Sequence, residues 1–551
     1  MQRSMVFGVA LLFMSCGWAL PAEVVPAETG SSAANKGTES APDADALQKL
    51  AAGLISGSGQ ERAQAVGRLR QLGRKAAPAS AALTRALVSK KSDTRRFAAA
   101  ALGWIGPAAR EAGPGLIGLF SDQDADVRRC AAYAVGEIGG VEGAVPALVG
   151  LLRDHDEGVR CYAATALGRL GPKAAEAFGP LSDLRNDRST DVRRCGAYAL
   201  GRIGADRAYT AAALIKYLDD SDPGVRRYSA AALGTGFEAR IDDVLPALLK
   251  AAGDREPPVR AAALLALATL ECGADQPVRA FFKALDDADE TVRHRAIIGL
   301  ARKGRGNPHA VQALLKATED PSPAIRGRAV LGLGQMRIAS AQALQRMIRL
   351  LTDPQSSVRL DAAAALDCLW KEAAPAGPAL IKALQDEDAR VRARVAHAVG
   401  NISQASRAAV PRLIEMLGDD EPDVRRNALR AIGWIARDAK AAEPRIIELL
   451  GDENAAVRRS ALFAIKRLKA DPEKAVPALV ARLSDEDKML RESAANALGR
   501  YGASAMQATK ALEKALRDES EDVRFAAGLA LKRIAGEETD FPPLGVGAQA
   551  D

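Results

Sequence analysis

Residues 122–140 read DQDADVRRCAAYAVGEIGG, and residues 141–154 continue as VEGAVPALVGLLRD into the next aspartate. Counting from Val127, apolar or small residues fall at 0, +4, +5, +8 and +11 (Val127, Ala131, Ala132, Val135 and Ile138). That is the 3.6-residue stripe of a helix buried along one side. Glycine follows the last turn, here and in the next copies, at Gly139, Gly171 and Gly204, where it ends the helix. Thirteen residues before the next apolar anchor a proline predicts the start of a second, shorter helix, at Pro114, Pro146, Pro246, Pro378, Pro411, Pro444 and Pro477. Proline fits a first helical position because the N–H it lacks is not needed there.

The unit repeats. An arginine one residue after the anchor recurs about every 33 residues, from Arg62, Arg95 and Arg128 through to Arg524, making fifteen copies. From Arg128 onward an aspartate stands six residues before each one, from Asp122 to Asp518. Each unit is helix A, a short acidic turn, helix B and a Gly-containing loop, with no period-2 alternation to suggest strands. One such hairpin cannot bury both of its apolar faces, so the units must stack into an all-α solenoid held together by nearest-neighbour contacts. Alanine at +4 and +7 of helix B allows the close approach this stacking needs.

The period alone also suits ankyrin units of roughly 33 residues and tetratricopeptide units of roughly 34. No TPLHxA turn occurs, nor a recurring Trp, Leu-Gly, Tyr pattern; instead VRxxAAxALGxIG and VPALxxLL alternate with a D-x-D turn. Over about residues 46–536 the chain resembles the HEAT-like repeats of the phycobilisome-lyase type, which implies an α-solenoid superhelix of about fifteen two-helix repeats. In such repeats the turn aspartate and the helix-B arginine form a ladder between neighbours. The resemblance implies this structural role for Asp122, Arg128, Asp154, Arg160, Asp187, Arg193, Asp220 and Arg226. An aspartate just before a helix also accepts free N–H groups and suits the helix dipole. Ser56 and Ser89 replace the aspartate in the first two units, as expected of an N-terminal cap.

Residues 1–22 carry Arg3, an apolar run from Met5 to Met14 and small residues around Ala19 and Ala22. The pattern predicts a secretory signal peptide, its run too short to span a membrane. The stretch LFMSC resembles a bacterial lipobox with Cys16 as the lipidated residue, although Phe13 departs from the usual aliphatic residue. Residues 23–45 read as a disordered linker and 537–551 as a disordered tail. The other cysteines, Cys130, Cys161, Cys195, Cys272 and Cys368, are expected to be small packing residues. Neighbouring units should hold them about 10 Å apart, beyond disulfide reach. A net charge of +7, from 76 basic and 69 acidic residues, favours weak attraction to anionic surfaces and little more.

No catalytic or metal motif appears. None of the four histidines (His155, His294, His309 and His397) precedes a glutamate, so the paired His-Glu motifs of iron-dependent HEAT-repeat hydroxylases are missing. Haem, zinc, phosphate-loop and serine-elbow signatures are missing too. A non-catalytic protein without cofactor is expected.

What varies within the constant unit is positions +2, +3, +6 and +10 of helix B, predicted to line the concave face. In units two to six they include Arg96, Phe97, Trp104, Arg129, Tyr133, Tyr162, Arg169, Arg194, Tyr198, Arg202, Arg227 and Tyr228, with four of the chain's seven tyrosines. Tyr, Trp and Arg dominate interface hot spots, although these aromatics can also fill gaps between adjacent helices. A second, more basic stretch holds Arg425, Arg426, Arg430, Trp434, Arg458, Arg459, Phe463 and Arg467. The sequence thus predicts an exported scaffold that binds a protein or peptide. The alternative is an anionic envelope polymer or glycan, with nucleic-acid binding or a chromophore-lyase-like role behind it.

Overall fold

The computed structural model describes residues 44–204, 207–234, 240–273, 275–402 and 405–537. Residues 1–43, with the expected signal peptide, Cys16 and nearly all of the linker, lie outside the described residues, as do residues 538–551 of the tail. All the described elements are helices. They form two units, divided between Ala284 and Leu285. The first holds seven B helices, from Gly59–Leu72 to Pro257–Thr269, and the second holds eight, from Glu290–Lys303 to Glu521–Ala535.

The helix Ala125–Ile138 shows why the repeat folds as it does. The Asp124 side chain accepts the Asp126 N–H at its start, Val127, Ala131, Ala132, Val135 and Ile138 are buried, and Gly139 ends it at φ 63°. Gly171 and Gly204 end the next two B helices, also at positive φ. At three of the B helices that end without glycine, Trp370, Ala436 and Lys469 take up the positive φ. Pro114, Pro378, Pro411 and Pro444 lie in the first turns of their A helices. Pro246 and Pro477 do not open theirs. Those helices start at Ile241 and Pro472, because in these repeats the loop before the proline is itself helical. The first A helix begins at Ala44.

Within each unit, every B helix packs on the next along a seam of small residues. Beyond the alanines, the seam depends on a glycine inside helix B, at +9. A Cβ on Gly136 would lie 2.8 Å from the Ala166 Cα, and one on Gly334 would lie 2.5 Å from the Ala365 Cα. These glycines are interior to the helix and contribute close approach, which outweighs their poor helix propensity.

The ladder is present in both units. Arg128 donates from Nε and Nη2 to the two Asp154 carboxylate oxygens, both at 2.8 Å, and from Nη1 to the carbonyls of Asp122 and Gln123 at 2.8 and 3.2 Å. Arg160 does the same to Asp187, Arg193 to Asp220 and Arg226 to Asp254. In the second unit the rungs run from Arg293–Asp320 to Arg491–Asp518. One arginine therefore ties the backbone of its own turn to the carboxylate of the next. The ladder aspartate does not cap helix B. Asp154 Oδ1 instead accepts the N–H of Asp156 at 2.9 Å, folding the turn, and Asp156 caps the helix by accepting the Val159 N–H. At the N-terminal end, where Ser89 stands in the aspartate position, its carbonyl still receives Arg95 Nη1 at 2.8 Å.

The expectation for the cysteines fails at one pair. Cys161 and Cys195 form a disulfide, with their Cα atoms 5.5 Å apart. The 10 Å spacing is an axis-to-axis distance, and the seam between these two B helices is tighter than that. A Cβ on the neighbouring Gly168 would lie 3.0 Å from the Ala199 Cα. Cys161 at +2 and Cys195 at +3 face each other across it. Cys130, Cys272 and Cys368 are free, and burial pushes the Cys130 thiol up to about 12. Without reduction, an alkylating reagent should leave Cys161 and Cys195 unmodified. Modification of either in the native, unreduced protein, read by peptide mass, would refute the pairing.

Two substitutions test the seam and two states of one carboxylate test the ladder. Gly136→Ala should lower the thermal midpoint, costing about 1–3 kcal/mol by overpacking. Gly67→Ala, at an exposed helical position with open space around it, should raise stability by about 0.5–1 kcal/mol. Burial raises the Asp154 carboxyl, but the Arg128 hydrogen bond, the Asp156 N–H and the Arg128 charge outweigh it and leave it below the ordinary value. A depressed carboxyl contributes stability above its unfolded value of about 3.9, which is lost as pH falls through that range. Asp154→Ala should cost about 2–3 kcal/mol at pH 7, because it leaves Arg128 half-buried without its acceptor. It should also flatten the fall in stability below about pH 4, measured by hydrogen exchange in Ala125–Ile138 and Glu157–Leu170.

Candidate functional site on the B-helix face

The +2, +3, +6 and +10 positions of consecutive B helices lie side by side, and most of their side chains are occupied with one another. In the first unit Phe97 and Tyr162 are buried, at 3% and 5% exposure, so neither offers surface to a partner. Tyr133 and Tyr198 are half-buried and lie against the seam glycines Gly103 and Gly168, whose missing side chains make room for the rings. Burial pushes the Tyr133, Tyr162 and Tyr198 hydroxyls up, so all three are protonated. Arg96 lies 4.6 Å from the centre of the Phe97 ring, Arg169 5.3 Å from that of Tyr133, and Arg227 4.7 Å from that of Tyr228. Trp104, Arg227 and Tyr228 keep part of their surface, and Arg202 is exposed.

Several of the +2 arginines, expected on the binding face, form a second ladder between repeats. Arg129 Nε lies 3.2 Å from Asp156, and Arg194 donates to both oxygens of Asp222 at 2.8 and 2.7 Å. In the second unit Arg459 donates to Asp487 at 2.7 Å. The acceptor in each case is the N-cap of the next helix B. An RR doublet on one repeat thus meets a D-x-D doublet on the next, first arginine to first aspartate and second to second. The signal for this was in the sequence, in the co-occurrence of the two doublets. Arg96 departs from the pattern and pairs with Asp93 of its own helix and, at 3.7 Å, with Asp126.

In the second unit the same face opens into a groove of about 460 Å³, over the B helices Ser356–Leu369, Ala389–Asn401 and Pro422–Ile435. Leu360 and Ala393, at +2, leave the space that arginine fills in other repeats, and Arg394, His397, Arg426 and Arg430 border it. His397 Nδ1 is 2.9 Å from Asp367 Oδ1, which also accepts from Asn401 Nδ2 at 2.7 Å. Arg394 reaches the other Asp367 oxygen at 3.3 Å. Burial raises the Asp367 carboxyl, but the hydrogen bond and charge of His397, the Asn401 amide and Arg394 together hold it below the usual range. As a carboxylate Asp367 only accepts, so Nδ1 carries the proton and Nε2 is turned away from it. The His397 ring meets Trp434 edge-on, centres 5.2 Å apart, and the Arg430 guanidinium sits 5.3 Å from the Trp434 centre.

A histidine oriented by a carboxylate is half of a nucleophilic triad, but no serine, threonine or cysteine lines this groove among the described residues. Among the described residues no group of His, Cys, Asp and Glu is placed to hold a metal ion, and no helix is long and apolar enough to cross a membrane. The arginines that border the groove suit it to holding an anion. Sequence reading singled out Arg426, Arg430 and Trp434 but noted His397 only as an isolated histidine, and it missed Asp367, Arg394 and Asn401. They belong to two different repeats and meet only through stacking.

The model for HEAT repeats matches residues 211–277, 278–367, 377–444 and 442–532, more than half of the chain, and the armadillo/beta-catenin-like repeat matches residues 140–170. The chain belongs to the HEAT-repeat family. No protein of curated function matches its sequence. Among solved structures it is similar to an importin beta crystallised in ammonium sulfate, at 16% identity and TM-score 0.65, covering 89% of this chain and 79% of that one. Yeast importin-beta (Kap95p) follows at 15% identity and TM-score 0.58, covering 91% and 77%. Kap121p matches at 16% identity and TM-score 0.52 over 86% of this chain, which spans 59% of the length of Kap121p. At these identities the likeness is one of fold.

Proposed function

We propose that this HEAT-repeat protein is an exported, non-catalytic scaffold that binds a protein or peptide partner on its B-helix face. One observation carries the reading. The array uses its apolar stripe, its seam glycines and its recurring charges to hold itself together, and what still varies from repeat to repeat lies on that face. Its side chains are already ordered by cation–π contacts and ion pairs with neighbouring repeats, so little side-chain entropy remains to be lost on binding. Solved solenoids of this fold carry protein partners, as in Kap121p bound to Pho4p and the Kap95:Nup1 complex. Export rests on the signal-peptide pattern of residues 1–22, with Cys16 as a candidate lipid anchor.

The accessible part of the first unit's stripe is Trp104, Arg202, Arg227 and Tyr228. An anionic envelope polymer is the second reading, favoured by the arginines at the same positions. Affinity capture from the native envelope fraction distinguishes the two. A protein partner is lost when the fraction is treated with protease, and a glycan is not. The Trp104→Ala/Arg202→Glu/Tyr228→Ala variant, folded by circular dichroism, should retain less than about a tenth of the captured partner. Undiminished capture by this variant would exclude the first unit's stripe as the site.

A further inference from the structure

The groove of the second unit lies where the second ladder breaks. The RR doublet Arg425-Arg426 faces Asp452 and Asn454, so the turn reads D-x-N, whereas the turns facing the other RR doublets read D-x-D or, at Asp254 and Glu256, D-x-E. Arg425 finds Asp452, with Nε donating at 2.8 Å. Arg426 meets no carboxylate at the N-cap of the next helix, which is Asn454. It turns to Asp423 of its own helix, 3.1 Å away, in a pair whose side chains are 37% and 72% exposed. Such a pair contributes little, and Arg426 Nε is buried without a hydrogen-bond partner.

Around it the groove gathers more positive charge than it neutralises. Arg430 faces the Trp434 ring rather than a carboxylate. Arg394 shares Asp367 with His397 and Asn401. The acids on the groove wall are Glu421 and Asp423, at its rim, and its apolar floor is Leu360, Ala389, Ala393 and Val424.

We infer that this groove binds an acidic segment of a protein partner, with Asp or Glu carboxylates received by Arg394, Arg426 and Arg430 and aliphatic stems resting on the apolar floor. Arginine forks match carboxylates in two-point contact. The volume of about 460 Å³ accommodates a few side chains and falls within the range of small-ligand pockets. Glu421 and Asp423 at the rim disfavour a uniformly charged polymer running across the face, while a short segment ending its charges inside avoids them. The inference rests on the protein-binding reading above and names the chemistry of the segment.

The test is fluorescence anisotropy of a dye-labelled oligopeptide of alternating Asp and Glu with the full chain. Saturable binding is expected, weakened roughly tenfold or more by Arg394→Gln/Arg430→Gln. Asn454→Asp should also weaken it, because it restores the missing rung and draws Arg426 away without removing a positive charge. This variant keeps the cap, since aspartate accepts the same N–H, and so should fold normally. Lys316→Gln, at an exposed position on the A helix Pro308–Ala317, should change nothing. Absence of saturable binding, or full binding by both groove variants, would overturn the inference. So would tighter binding at these residues of single-stranded DNA or a sulfated oligosaccharide of equal charge. Loss of peptide binding in the wild type while capture of the cellular partner persists would sink the acidic segment and leave the scaffold reading standing.

Discussion

The contact on which the rest of the structure depends is one arginine reaching in two directions. In Arg128, as in most of the ladder arginines, Nη1 holds the two turn carbonyls of its own repeat while Nε and Nη2 hold the aspartate of the next, here Asp154. Arg458 reaches Asp485 through Nη2 alone. Partly exposed ion pairs contribute modestly to net stability, and the apolar stripe supplies most of the free energy. The ladder's effect is on register. A fork with fixed geometry cannot slide along a helix, so each B helix is set against its neighbour at one height. The seam then brings the +9 glycine of one helix opposite the +7 alanine of the next, as Gly136 meets Ala166. Slipped by a turn, that glycine would no longer meet its alanine and the backbones would separate.

Register also explains what was legible in the sequence. The 33-residue recurrence, the stripe from Val127 to Ile138, the terminal glycines and the Asp/Arg ladder all describe one repeat or the relation between identical neighbours. A single sequence shows such features many times over. The interior glycine of helix B was equally repetitive, yet its role is not visible from one helix alone, because a glycine inside a helix reads as a weakness until the partner helix is placed on it. The prolines at Pro246 and Pro477 were misread for a related reason. Proline marks a permitted helix start, and where the preceding residues are themselves helical the start moves upstream.

The site was less legible, because it depends on differences between neighbours. Cys161 and Cys195 occupy +2 and +3, positions that are offset in sequence but face each other once the seam tightens. Trp434 belongs to one repeat, His397 to the one before it and Asp367 to the one before that, and their arrangement is a property of the stack. The aromatics of the first unit also changed meaning. Tyr133 and Tyr198 lie over seam glycines and are spent on packing as much as on display, which leaves Trp104, Arg202, Arg227 and Tyr228 as the surface a partner can reach.

A solenoid whose stability is a sum over neighbours can lose one rung without unfolding. That makes a broken rung a natural place for a binding site. Where the D-x-D turn is complete, both arginines of the preceding doublet are neutralised in place, as Arg193 and Arg194 are by Asp220 and Asp222. Where the second acid is Asn454, the helix keeps its cap, accepting the Ala456 N–H, and Arg426 is released. With alanine at Ala393 instead of a bulky +2 residue, the released charge borders an open groove and not a packed seam. Two side-chain changes, in the repeats on either side of the Arg425-Arg426 doublet, thus turn a structural position into a receptive one, while the first ladder, through Arg392 and Asp419 and through Arg425 and Asp452, keeps the three repeats in register around it.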